Sequence, residues 1–136
     1  MTRFLLVVVL AVLASKSGAQ EKDTDARELL AKSKEFIKSR EFSLSEATLT
    51  KALLACGDTK YDQIFKAELY LWFGRVREFQ KNRDKKTDFW TDSASRASAK
   101  RILDSYGYPV TSVQRRASAI QREFYDILRK PQRKKN

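Results

Sequence analysis

The sequence predicts an all-α domain of about five helices packed as antiparallel hairpins. Three observations carry that prediction. Glycine and proline, the residues that punctuate loops and tight turns, number only four and two in 136 residues. No stretch alternates polar with β-branched side chains, as a half-buried strand requires. Every strong apolar repeat has the three-and-four spacing that places side chains on one face of a helix.

The first helix is expected from Thr24 to Ser39. Asp25 and Glu28 offer a capping pair, and Leu29, Ser33, Phe36 and Arg40 follow helical spacing beside Leu30 and Ile37. Ser43-Leu44-Ser45-Glu46 then reads as a capping box that opens the second helix. Its buried stripe is Leu49, Ala52, Leu53 and Cys56, and Gly57 supplies a left-handed stop.

The third helix, Thr59 to Lys81, carries two apolar stripes. Ile64, Ala67, Leu71 and Gly74 form one; Phe65, Leu69, Trp72, Val76 and Phe79 form the other, with Tyr70 and Phe73 between them. A helix apolar on most sides is enclosed by neighbours, so this one is expected at the centre. Gly74 costs about 1 kcal/mol of helix propensity against Ala, which a close helix approach there would repay.

Asn82 or Asp84 is expected to start the fourth helix, which runs to Tyr106 through Phe89, Trp90, Ala94, Ala97, Ile102 and Leu103. Its small-residue middle, Ser93 to Ala99, suits either tight packing or a break. Gly107 and Pro109 end it. Thr111 with Gln114 caps the fifth helix, whose seam is Val113, Ala117, Ile120, Phe124 and Ile127. Arg115, Arg122 and Arg129 stand seven apart on the opposite side. Such a one-sided helix closes the end of a stack.

The domain is expected to span residues 20–130, with 131–136 a basic disordered tail. Ahead of it, Arg3, the apolar run Phe4 to Ala14 and the small residues up to Ala19 have the layout of an export signal, 1–19, cut near Ala19. A cut after Ala14 is the alternative. The run falls short of the ~20 residues that span a bilayer, so a retained anchor is the lesser reading. Cleavage would leave a periplasmic or secreted protein.

Composition narrows the chemistry. The 136 residues carry a formal charge of +11; losing Arg3 and Lys16 with the signal leaves +9 on the remaining 117. In an exported protein, such charge points to acidic protein segments, anionic lipid or acidic polysaccharide more than to nucleic acid. The chain has no histidine, the commonest general base and metal ligand, so a metal site is not expected. Cys56 is the lone cysteine, expected as a small buried residue, with an intermolecular disulfide as the alternative. There is no Cys-x-x-Cys, no phosphate-cradling glycine loop and no carboxylate pair on an apolar face. Asp62 and Glu68 read as charges solvating the edge of the third helix. The expectation is a protein without enzymatic activity or cofactor.

Residues 26–59 resemble a tetratricopeptide repeat. Leu29, Ser33 and Phe36 stand at the large, small and large positions of the first helix, and Ser45, Leu49 and Ala52 at the small, large and small positions of the second. Residues 67–100 resemble the same pattern through Tyr70, Gly74, Trp90 and Ser93. The sequence departs from it at Arg77 and Lys86, lacks the closing prolines, and separates Ser33 from Gly74 by 41 residues, against a repeat of ~34. The resemblance implies a right-handed stack of two irregular hairpins with a C-terminal capping helix. It also implies a concave face that holds a peptide or partner segment.

Carried over by position, that face would present Arg27, Leu30, Lys34, Ile37 and Lys38, then Glu68, Leu71, Arg75, Glu78 and Phe79. Arg27, Lys34, Lys38 and Arg75 would grip carboxylates while Leu71 and Phe79 take a side chain. The alternative is an anionic-surface binder using Arg115, Arg122, Arg129, Lys130, Arg133, Lys134 and Lys135, each worth about 1 kcal/mol near acidic lipid. A third reading is self-association, because Tyr70, Trp72, Phe73 and Trp90 exceed what five helices readily bury.

Overall fold

The computed structural model describes residues 18–82 and 93–129, with side chains over 25–81 and 94–129. Five helices and no strand occur among them: α1 (Gly18–Lys38), α2 (Phe42–Ala55), α3 (Lys60–Asn82), α4 (Ser93–Ser105) and α5 (Thr111–Arg129). The all-α expectation therefore holds. The expected export signal up to Ser17, the expected start of the fourth helix with Phe89 and Trp90, and the basic residues Lys130, Arg133, Lys134 and Lys135 lie outside the described residues.

α1 starts at Gly18, ahead of the expected Thr24. Ala19, Gln20, Glu21 and Lys22 are good helix formers with no breaker among them. Asp25 therefore sits within the helix rather than capping it. Its end is more exact. Arg40 adopts a left-handed φ of 62°. The Glu41 amide donates to the Phe36 carbonyl at 2.8 Å and the Arg40 amide to Ile37 at 3.0 Å. That pair of bonds is a Schellman stop, here with arginine in the place glycine usually takes.

The capping box falls at a different place from the one expected. No side-chain cap bond closes the N-terminus of α2. Instead Ser43 Oγ donates to Gln80 Oε1 at 3.3 Å, and Gln80 Nε2 donates to Glu46 Oε1 at 2.5 Å. The two residues tie α2 to α3. The reciprocal box forms at α3: Thr59 Oγ1 accepts from the Asp62 amide at 3.1 Å, and Asp62 Oδ2 from the Thr59 amide at 3.3 Å. Asp62 is accordingly buried, not an exposed edge charge.

Gly57 is not left-handed, contrary to expectation; the only such glycine described is Gly107. Gly57 is needed for space, since a Cβ there would collide with the Asp62 carboxylate. Gly107, at φ 84°, does stop α4 as expected, its amide donating to Asp104 and that of Tyr108 to Leu103, both at 3.0 Å. The turn into α5 is closed by the Ser112 amide on the Pro109 carbonyl at 2.9 Å, rather than by Thr111 and Gln114.

Each helix packs on the next, and α5 packs also on α1 and α3. α3 is enclosed as its two stripes require: Leu69, Leu71, Trp72, Gly74, Arg75 and Val76 are all buried, on several sides of one helix. Between α1 and α2, serine meets serine. Ser33 and Ser45 are fully buried with hydroxyls 2.6 Å apart, and Ser33 Oγ reaches the Ser45 carbonyl at 3.3 Å. Small side chains let the backbones close, and the hydroxyls satisfy one another in the gap.

Candidate functional site

The inner face of α5 meets the residues expected to line a concave groove. Lys34 pairs with Glu123 at 2.9 Å and lies 5.0 Å over the Trp72 ring, joining α1, α3 and α5. Glu68 of α3 pairs with Arg116 at 2.8 Å. Arg40 donates to the Leu128 carbonyl at 3.1 Å, so a cation caps the C-terminal end of α5. Pairs 34–123 and 40–128 advance together, as do 68–116 and 75–121, so α5 runs parallel to both α1 and α3.

An aromatic knot anchors this packing. Phe124 is fully buried, 5.2 Å from Phe79 in an edge contact, 6.4 Å from Phe42 and 5.4 Å from Tyr125. Arg75 is only 1% exposed. Its guanidinium lies 5.5 Å over Phe124 and 5.7 Å over Tyr125, and donates to Gln121 Oε1 at 3.3 Å. Ring faces and a carboxamide thus help compensate a charge that burial alone would penalise heavily.

The candidate groove residues separate accordingly. Leu71 and Arg75 are buried, and Phe79 is half-buried under Phe124 and Tyr125. Lys34 is held by Glu123. Arg27 is exposed, its guanidinium 4.4 Å over Phe65, and Lys38 is exposed at the end of α1. α5 covers the face on which Lys34, Leu71, Arg75 and Phe79 converge.

The outer face of α5 is different. Arg115, Arg122 and Arg129 are all exposed, about 10 Å apart along the axis. Beside them opens a cleft of about 650 Å³ lined by Ser118, Gln121, Arg122, Tyr125, Asp126 and Arg129. Arg129 pairs with Asp126 across one turn. The residues missed by sequence reasoning are Ser118, Gln121 and Asp126. Ser118 and Gln121 continue at three-and-four spacing to Tyr125, and Asp126 stands four after Arg122, but a polar stripe reads equally as a solvated surface.

Exposed guanidiniums, a carboxamide and a phenol can bind carboxylates and peptide groups. Among the described residues no group of His, Cys, Asp and Glu could hold a metal ion, and no helix is long and apolar enough to cross a membrane. Cys56 is half-buried at the end of α2. Trp72 is fully buried and Tyr70 and Phe73 are half-buried; among the described large apolar side chains the most exposed are Leu54 and Tyr61, 82% and 77% exposed on either side of the α2–α3 turn. The chain matches no protein-family model, no curated protein and no solved structure.

Proposed function

We propose that the protein is an exported, non-catalytic binding module that receives an extended acidic segment of another protein along the outer face of α5. The observation that carries this reading is the cleft beside α5, with Arg122 and Arg129 on its rim and Gln121 and Tyr125 in its wall. Guanidiniums take carboxylates in a two-pronged fit. The carboxamide and phenol supply bonds to the backbone of an extended chain. The site lies on the outside of α5 rather than between α1 and α3, because Leu71 and Arg75 are buried and Phe79 is packed beneath Phe124.

A second reading, adhesion to anionic lipid or polysaccharide, rests on the exposed row Arg115, Arg122 and Arg129 and on the basic tail. The Asp126 carboxylate paired with Arg129 would repel a uniform anionic sheet, which favours a discrete segment. Export rests on Arg3 and the run Phe4 to Ala14. The tetratricopeptide-like kinship rests on the Ser33–Ser45 approach between α1 and α2. The non-catalytic reading rests on a chain without histidine, the commonest general base.

The test is fluorescence anisotropy with a labelled Asp/Glu-rich peptide. Joint reversal of Arg122→Glu and Arg129→Glu is expected to weaken binding at least about tenfold, since each charge-assisted contact is worth more than 1 kcal/mol. Removal of residues 130–136 should change it little. A larger loss from Lys34→Glu than from the α5 reversals would refute the placement. Retention on anionic vesicles without peptide binding would favour the second reading.

A further inference from the structure

A separate cavity of about 260 Å³ lies where α3, the end of α4 and the start of α5 meet. Its floor is apolar: Ile64, Ala67 and Leu71 from α3 and Leu103 from α4. Its rim is polar and basic, with Arg115 and Arg116 beside Glu68, and with Tyr108 and Ser112 at the turn. Arg116 is engaged by Glu68 at 2.8 Å. Two guanidiniums facing one carboxylate leave a positive charge in excess; both are exposed, and Arg116 is the one paired with Glu68.

We propose that this cavity binds a small monocarboxylate, its short apolar body on the Ile64–Leu71–Leu103 floor and its carboxylate on Arg115. Four features define the ligand. The apolar floor suits an apolar group, with half-buried Ile64 at its edge and the core residues Ala67, Leu71 and Leu103 at its base. The excess charge selects an anion. The planar guanidinium selects a carboxylate, which it can grip with two bonds. The volume houses a body of about eight non-hydrogen atoms, at ~30 Å³ for each water-sized group. This site is independent of the cleft between Ser118 and Arg129, sharing none of its lining residues. It would remain if the peptide-binding reading failed.

Such a carboxylate can be a free short-chain acid or the terminal residue of a peptide. Titration of the whole protein, followed through its methyl resonances by NMR, tests the site with hexanoate, N-acetyl-leucine and hexanamide. Saturable shifts at Ile64, Leu71 and Leu103 are expected with at least one acid, and binding of hexanamide at least about tenfold weaker. Arg115→Gln should weaken acid binding to a similar degree while the methyl spectrum of the free protein stays dispersed. Tighter binding of hexanoate assigns the site to free acids, and of N-acetyl-leucine to a peptide terminus; each supports the proposal. It is overturned if neither acid shifts these methyls up to its solubility limit, if hexanamide binds as well as hexanoate, or if Arg115→Gln binds as tightly as the parent.

Discussion

Phe124 decides whether α5 is part of the domain or an appendage. Its side chain is fully buried on Phe79, Phe42 and Tyr125, and it forms one of the two rings over the Arg75 guanidinium. Phe124→Ala removes the ring and leaves a cavity that helices from three parts of the chain cannot easily collapse. Such truncations cost about 3–5 kcal/mol, and the lost edge contacts and cation–ring contact place this one near the upper end. Against a total stability of about 5–15 kcal/mol for a domain of this size, that is a large fraction. At ~4 °C per kcal/mol the midpoint should fall by about 20 °C. Urea and thermal unfolding followed by far-UV circular dichroism and by tryptophan fluorescence measure it. Both probes should shift together in one transition, because Trp72 and Phe124 belong to one core. A loss below about 1 kcal/mol, or an early helical transition that leaves the Trp72 signal in place, would refute the reasoning; Phe→Ala in a closed core does not cost so little.

Three further substitutions test local claims by the same unfolding assay. Arg40→Gly should be nearly neutral, because relief of the left-handed φ offsets loss of the bond to Leu128, whereas Arg40→Ala keeps the strain and should cost about 1 kcal/mol; the opposite ranking would contradict the Schellman assignment. Gly57→Ala should cost about 1–2 kcal/mol by displacing the Asp62 carboxylate from the α3 cap, and its effect should largely vanish in an Asp62→Ala background; full additivity would separate the two. Ser33→Leu should cost at least about 2 kcal/mol by prising α1 from α2 at the fully buried Ser33–Ser45 contact, and a neutral result would mean the helices do not approach there.

Much of the helical framework was legible in the chain. The α5 seam of Val113, Ala117, Ile120 and Phe124 and the doubly striped α3 are buried as their spacing requires. Periodicity reports which faces must be covered. It does not report what covers them, and so the packing of α5 on Lys34, Arg75 and Phe79 was not legible. Arg75 shows why: an arginine in sequence reads as exposed, and its burial draws on ring faces and a carboxamide from another helix. Capping misled for a related reason. Ser43 and Glu46 have the right spacing for a box, but Gln80 of α3 competes for both side chains, a partner 34 residues or more away. The box at Thr59 and Asp62 needed Gly57 to leave room for the carboxylate. Arg40 in a left-handed stop broke the glycine rule because its side chain is used at the end of α5.

Whether α5 is a fixed wall or a removable stand-in for a partner can be measured by locking it down. Lys34→Cys and Glu123→Cys, in a Cys56→Ser background, would be joined by a short bismaleimide across the position of the present ion pair. With α5 tethered to α1, binding of the labelled acidic peptide should match that of the unlinked double variant, because the outer cleft is untouched. If the tether abolishes binding, the peptide must enter between α1 and α3 in place of α5, and the outer-face assignment is wrong.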